Sequence, residues 1–170
     1  KKTVGDQTCL ECHEDISKHY SKNIHSRLQK KDVRKGVIGC ESCHGAGAAH
    51  AEEGDKAKIR SFKNLKADQA SAACLQCHKT MNSSDWNLSD HAASEVACTA
   101  CHQVHAAKPL KKEEPGLCYT CHTDIKVKSY YPSHHPIREG KMKCSSCHAH
   151  HGSLVNNLQT NERLNDLCFK

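Results

Sequence analysis

The chain has 170 residues, a formal net charge of +6 and 36% apolar residues, with only two Phe, four Tyr and one Trp as aromatics. A bare polypeptide of this composition is poor material for a hydrophobic core and leans towards disorder. No stretch approaches 18 consecutive apolar residues, which excludes a membrane-crossing helix from the expected structure.

In chain order, the first landmark is Cys9/Cys12/His13, a Cys-x-x-Cys-His motif. A polar, helix-compatible stretch follows from Ser17 to Gln29. The second motif, Cys40/Cys43/His44, is flanked by Gly36, Gly39, Gly45 and Gly47, which break regular structure around it. The third, Cys74/Cys77/His78, lies in an Ala-rich stretch from Asp68 to Lys79, where Asp68 is expected to cap a helix. The fourth is Cys98/Cys101/His102, and the charged run Lys108 to Glu114 after it reads as a solvated loop. The fifth is Cys118/Cys121/His122, and the sixth is Cys144/Cys147/His148. Pro109, Pro115, Pro132 and Pro136 interrupt the chain between them. A last helix is expected from Asn161 to Lys170, carrying Cys168, and no segment reads as a convincing strand.

Each Cys-x-x-Cys-His reads as a c-type haem attachment site: two thiols bond the porphyrin vinyl groups and the adjacent His takes one side of the iron. Zinc would need four ligands from two cysteine pairs and has no use for a trailing His. A disulfide framework predicts an even number of cysteines, and there are 13. A thioredoxin-like motif would occur once, beside a βαβ pattern. The thirteenth cysteine, Cys168, is expected to open a seventh motif at which the chain stops short, so that residues 1–170 form one multihaem domain of a longer protein. No signal peptide is visible, and the sequence reads as a mature form.

Haem also answers the composition. The motif intervals of 31, 34, 24 and 20 residues and onwards are irregular. At about 28 residues per motif there is little room for anything but cofactor-wrapping chain. The expected fold is therefore a multihaem cytochrome c: mostly irregular chain with short α-helices around closely packed haems, and almost no β-structure. Haem propionates and ferric centres bring the charge to about zero when oxidised and about −6 when reduced. That removes the nucleic-acid reading of the +6 polypeptide.

Of the 15 His, six follow the motifs; His19, His25, His50, His91, His105, His134, His135, His150 and His151 remain. This surplus supplies a second axial ligand for every iron, which predicts low-potential bis-His centres. Met81 and Met142 are the alternative axial ligands, and the surplus of His makes them packing residues. His50 lies just past flexible glycines, and His105 lies three residues after His102. His105 is therefore expected to serve a neighbouring haem, which makes the ligation interlaced. The individual pairs stay open.

The runs CESCHGAGAAH, CLQCH with WNLSDH, CTACHQVH, LCYTCH and PSHHPIREGKMKCSSCHAHHGS closely resemble the MtrA/DmsE family of periplasmic decahaem cytochromes. They are also similar, in part, to the pentahaem donors of periplasmic nitrite reductase. The resemblance implies distal ligands at His25, His50, His91, His105, His135 and His151, with His19, His134 and His150 surplus. It implies six covalent haems c, a seventh at Cys168 if the chain continues, and up to ten in a full-length protein. It further implies a haem wire in the periplasm, associated with the outer membrane. Its partners would be other cytochromes as donor and acceptor, an outer-membrane β-barrel porin and an outer-surface multihaem cytochrome.

The expected function is electron conduction, without an enzymatic site. A polymerising cytochrome, in which surplus His ligate a neighbouring subunit, is the alternative. A reductase would need an open iron, and all six proximal residues are His. If haem supplies the core, polypeptide made without haem attachment will show disordered-chain circular dichroism, and the holoprotein will be folded. A folded, cooperatively melting apoprotein would refute this.

Overall fold

A computed structural model describes residues 2–29, 39–79, 83, 85–153, 160 and 163–169. Helices of four to nine residues dominate, and the β-structure among the described residues is one isolated antiparallel bridge between His102 and Leu110. Two units can be distinguished. One comprises residues 1–74 and 102–110, the other 75–101 and 111–170.

In the first unit, α1 (Asp6–Cys12) and α2 (Glu14–Tyr20) are short, with acidic residues in their first turns, as the helix dipole favours. The stretch from Ser17 to Gln29 is not one helix. It breaks after Tyr20 and resumes as α3 (Ile24–Gln29). The reason is local competition for hydrogen bonds. Ser26 Oγ donates to the carbonyls of Ser21 (3.0 Å) and Asn23 (2.8 Å), and Asn23 Oδ1 accepts from His25 N at 2.9 Å, which starts a new helix instead of extending the old one.

The second motif forms α4 (Cys40–His44) and is followed by α5 (Ala48–Glu53). Between them Gly45 sits at φ +80°, which turns the chain out of the helix directly after His44. Gly36 lies outside the described residues. Glu41 ties this corner to the N-terminal segment by accepting from Val4 N (3.1 Å), Gly5 N (2.9 Å) and Gly47 N (2.7 Å).

Helix α6 runs Ala67–Leu75, shorter than the expected Asp68–Lys79. Asp68 lies inside the first turn, and it is Gln69 Oε1 that accepts from Lys66 N at 3.3 Å. Cys77 and His78 lie beyond the end of the helix.

The second unit contains a 3-10 turn at Trp86–Leu88, α7 (Asp90–Ala93), α8 (Cys98–Cys101), α9 (Thr123–Lys128) and α10 (Leu164–Cys168). Ser89 caps α7 by accepting from Ala92 N at 3.1 Å. Asn161 and Lys170, the ends of the expected last helix, lie outside the described residues. Gly152, at φ +126°, passes so close to the carbonyl of Asp85 that no side chain fits between them.

The polypeptide's own core is small. Among the described residues the buried apolar side chains are Ala70 and Trp86, and the remaining buried residues are Asn23, Ser26, Gly47, Ser71, Ser89 and Ser129. Leu88, Ile24, Tyr130 and Tyr131 are exposed. Two fully buried apolar side chains among the described residues make a small core, and flat porphyrin faces would add apolar surface to it.

Burial alone would raise the Glu41 carboxyl, but the backbone donors of Gly47, Gly5 and Val4 hold it below its ordinary value. Its contribution is therefore full above the unfolded value of about 4.3 and is lost as pH falls through the lower folded one. Glu41→Gln is expected to speed amide hydrogen exchange at Val4, Gly5 and Gly47 several-fold at neutral pH. Unchanged exchange at these three amides in the variant would dismiss the role.

Candidate haem sites

A helical turn is what makes Cys-x-x-Cys-His a single binding element. Residues i, i+3 and i+4 of a helix share one face. In the first, second and fourth motifs both thiols belong to one helix: Cys9 and Cys12 to α1, Cys40 and Cys43 to α4, Cys98 and Cys101 to α8. The third motif differs, since Cys74 is on α6 and Cys77 and His78 follow its end.

The fifth and sixth motifs also depart from a full helical turn. Cys118 and Cys144 open 3-10 turns at Cys118–Thr120 and Cys144–Ser146, and the second thiols, Cys121 and Cys147, fall just outside them as the residues that end each turn. The N–H of Cys121 donates to the Cys118 carbonyl, and that of Cys147 to the Cys144 carbonyl, both at 3.2 Å. This i to i+3 bond is the tighter winding, in which side chains three apart eclipse one another. The i to i+3 bond thus keeps the two cysteines of each motif within one turn of chain although the helix is lost. Cys121 is exposed, with its Sγ 3.9 Å from Thr120 Oγ1, and Cys147 is half-buried. All 13 cysteines have free thiols, as attachment sites require.

The motif His closes the turn. The N–H groups of His13, His122 and His148 each donate to the first Cys carbonyl at 3.0 Å. In the fifth and sixth motifs the same carbonyl thus accepts from both the second Cys and the His, which holds thiol and imidazole to one side.

Motif histidines face non-motif histidines across short gaps. The rings of His13 and His50 are 6.3 Å apart at 21°. Those of His44 and His105 are 6.0 Å apart at 12°, and those of His91 and His122 are 6.2 Å apart at 65°. An imidazole nitrogen sits about 2.0 Å from a first-row metal, and its ring centre lies about 1.1 Å further out, so two rings on opposite sides of one ion have centres about 6.2 Å apart. The donor sets therefore fit a bis-His iron.

Hydrogen bonds at the other ring nitrogen point the same way. Nδ1 of His44 donates to the Arg60 carbonyl (2.8 Å), Nδ1 of His50 to the Asp55 carbonyl (2.9 Å), and Nδ1 of His91 to the His150 carbonyl (3.0 Å). A backbone carbonyl can only accept, so each ring carries its proton on Nδ1 and presents an unprotonated Nε2. Arg60 adds two further contacts: its N–H donates to the His44 carbonyl at 3.0 Å and its Nη1 to the Cys43 carbonyl at 2.9 Å. Burial, then the neighbouring His44, push the His105 imidazole below its ordinary value and keep it neutral, the form that binds metal.

The other expected ligands are placed as follows. His25 Nδ1 lies 3.0 Å from Asn23 Oδ1. His151 stands edge-on to Trp86, with centroids 6.2 Å apart, and its ring is 4.4 Å from that of His150. His135 is exposed at the start of the turn that ends at Gly140. Of the three surplus residues, His19 is exposed on α2. His134 has both nitrogens engaged, Nδ1 with the Tyr131 carbonyl (2.5 Å) and Nε2 with Glu139 (3.2 Å). His150 contributes its carbonyl to His91. Met142 is half-buried, and Met81 lies outside the described residues.

Cysteines of different motifs meet. Burial, then Asp6 and Cys9, push the Cys40 thiol up to about 12, and burial, then Cys144, push Cys118 up to about 12. Glu114, Cys118 and Cys144 bring their ligand atoms within 4.8 Å of one another. Such a trio would suit a small metal ion, but Cys118 and Cys144 each open a Cys-x-x-Cys-His turn, and their motif partners Cys121 and Cys147 are not part of the cluster. The closeness instead brings two attachment edges together. The Tyr119 hydroxyl, in the fifth motif, is enclosed without a hydrogen-bond partner, an unmet polar atom that a propionate would satisfy. Sequence reasoning missed the ring-orienting groups, namely Asn23 and the carbonyls of Asp55, Arg60 and His150. A carbonyl leaves no signature in sequence, and only the Asn23-x-His25 spacing was available as a signal.

Comparison with known proteins agrees with these features. Three families match in succession: cytochrome c554 and c-prime over residues 1–45, cytochrome c-type protein NrfB-like over 40–113, and the doubled CXXCH motif over 134–170. The chain is 33% identical to the multiheme cytochrome MtrA of Shewanella baltica, over 97% of its own length and 52% of that protein. It is 29% identical to the C-type polyheme cytochrome OmcC of Geobacter sulfurreducens over 89% of its length and 21% of that protein. It is 21% identical to OmcB of the same species over 94% and 27%. The chain thus spans about half the length of the MtrA relative and less of the others. With its attachment turns and facing imidazoles, the chain is an MtrA-like multihaem c-type cytochrome.

Proposed function

We propose that this chain carries six haems c, each held between two His, and conducts electrons between periplasmic donors and acceptors at or beyond the outer membrane. The observation that carries the reading is the set of three ring pairs at 6.0–6.3 Å, each joining a motif His to a non-motif His. Haem, when bound, supplies a one-electron iron couple. The residues set its character. Two imidazoles would hold the iron of each haem, so small substrates would have no place to bind and the ligand set would change little with oxidation state. This supports a conduit over a reductase.

For the remaining pairs the nearness of residues supports one assignment. The first unit contains His13, His44 and His102 together with His25, His50 and His105; with His13–His50 and His44–His105 read as pairs, His25 is the candidate for His102. Asn23 Nδ2 donates to the Ala106 carbonyl at 2.6 Å and holds those two segments together. In the second unit, Gly152 packs on Asp85, His151 meets Trp86, and Ser83 Oγ donates to the His78 carbonyl at 3.1 Å. These contacts favour His151 for His78 and leave His135 for His148.

The resemblance to MtrA supports further proposals. Electron donor and acceptor would be other cytochromes, and an outer-membrane β-barrel porin and an outer-surface multihaem cytochrome would be the assembly partners. No helix among the described residues is long and apolar enough to cross a membrane.

Intact mass under denaturing conditions counts the haems, because each covalent haem adds about 616 Da. Six additions on residues 1–170 are expected; fewer would remove a motif from the wire. His91→Ala is expected to leave the haem of the fifth motif attached, through Cys118 and Cys121, but five-coordinate, so that the reduced protein binds CO and passes electrons more slowly. A variant that binds no CO would show that His91 is not a ligand.

A further inference from the structure

We propose that Asn23 is a positioning residue that sets the orientation and electron-donating strength of the His25 imidazole, and so the potential of one haem. The inference rests on the reading of His25 as an axial ligand. Asn23 is 1% exposed, which is unusual for an amide side chain. Both polar atoms of that amide are used. Oδ1 faces both the backbone N–H of His25, at 2.9 Å, and its ring Nδ1, at 3.0 Å, while Nδ2 donates to the Ala106 carbonyl at 2.6 Å. The Nδ2 bond fixes which end of the amide is the oxygen. Oδ1 can then only accept, so the His25 ring must carry its proton on Nδ1 and present Nε2 to a metal.

Asn23 therefore does for His25 what backbone carbonyls do for His44, His50 and His91. The difference is that a side chain can be changed. The bond from Nδ1–H to an acceptor makes the imidazole a better electron donor, which favours ferric over ferrous iron. Removing the acceptor should raise the potential of that haem, and an anionic acceptor should lower it. A second role of Asn23, capping α3, predicts something else. Asp is as good a cap as Asn but cannot donate to the Ala106 carbonyl, so a purely structural residue would show in Asn23→Asp as lost stability and not as one potential moved opposite to that of Asn23→Ala.

The test uses the haem-loaded protein. Asn23→Ala and Asn23→Asp are compared with wild type by spectroelectrochemical titration at alkaline pH, where an introduced carboxylate is ionised. His25→Ala is examined alongside for CO binding. The expected result is one midpoint potential moved upwards in Asn23→Ala and the same one moved downwards in Asn23→Asp, with both variants still six-coordinate and low-spin. His25→Ala should bind CO at one haem. If His25→Ala binds no CO, the ligand reading fails. If it binds CO while Asn23→Asp leaves every potential at its wild-type value, His25 is a ligand and the positioning role of Asn23 is overturned. Asn23→Asp keeps the shape and the Oδ1 acceptor of Asn23 and loses only the Nδ2 donor to Ala106, so it decides the question even if Asn23→Ala does not mature.

Discussion

The interaction on which the rest depends is a pair of imidazole rings held about one metal ion's width apart, one from a Cys-x-x-Cys-His turn and one from elsewhere in the chain. The first ring is placed by local geometry, since a single helical turn aims two thiols and an imidazole at one side. The second arrives over longer loops, and its aim is set by a hydrogen bond at Nδ1. Backbone carbonyls take this part on both sides of the pairs: that of Arg60 for His44, that of Asp55 for His50 and that of His150 for His91. They are rigid acceptors of fixed charge character, so they select one tautomer and hold it. The lowered affinity of the half-buried His105 imidazole for a proton works in the same direction.

A second constraint is the shortage of apolar side chains. Apart from Ala70, Trp86 and Gly47, the buried residues described are Ser and Asn, and several are buried because their side chains close turns. Ser26 binds two carbonyls, Ser89 caps α7 and also donates to the Trp86 carbonyl at 2.7 Å, and Ser129 donates to the Lys126 carbonyl at 2.6 Å. Small polar residues thus shape the chain, while bulk is left to the cofactors. Folding, haem attachment and redox function become one problem, as in small domains whose metal supplies the folding energy.

The meeting of cysteines from different motifs connects structure to function. Cys9 lies by Cys40, and Cys118 by Cys144. A thioether marks the edge of its porphyrin, so neighbouring attachment turns bring neighbouring edges together. Transfer between centres needs such closeness and tolerates little else, which is why a chain with about one motif per 28 residues has little room for other structure.

The attachment residues and the class of protein were legible in the sequence because thioether attachment is a local covalent demand: two thiols and a His must fall within one turn, and five residues are enough to declare it. The surplus of His likewise gave the expectation of a second ligand. The winding of each turn was not legible. Cys12, Cys43 and Cys101 stay in helix, whereas Cys121 and Cys147 sit past a 3-10 turn, although all five have the same spacing. The short helices were legible only in part. The stretch from Ser17 to Gln29 holds good helix formers, yet Ser26 and Asn23 divert backbone groups that a single helix would use. The opposition of His105 to His44 and of His91 to His122 was beyond reach, because spacing along a chain says nothing about which remote ring returns to a given face. Asn23, Asp55 and Arg60 were hidden for the same reason. Their part is played by an amide or a carbonyl that every sequence contains, and only the tertiary path decides which of them stands behind an imidazole.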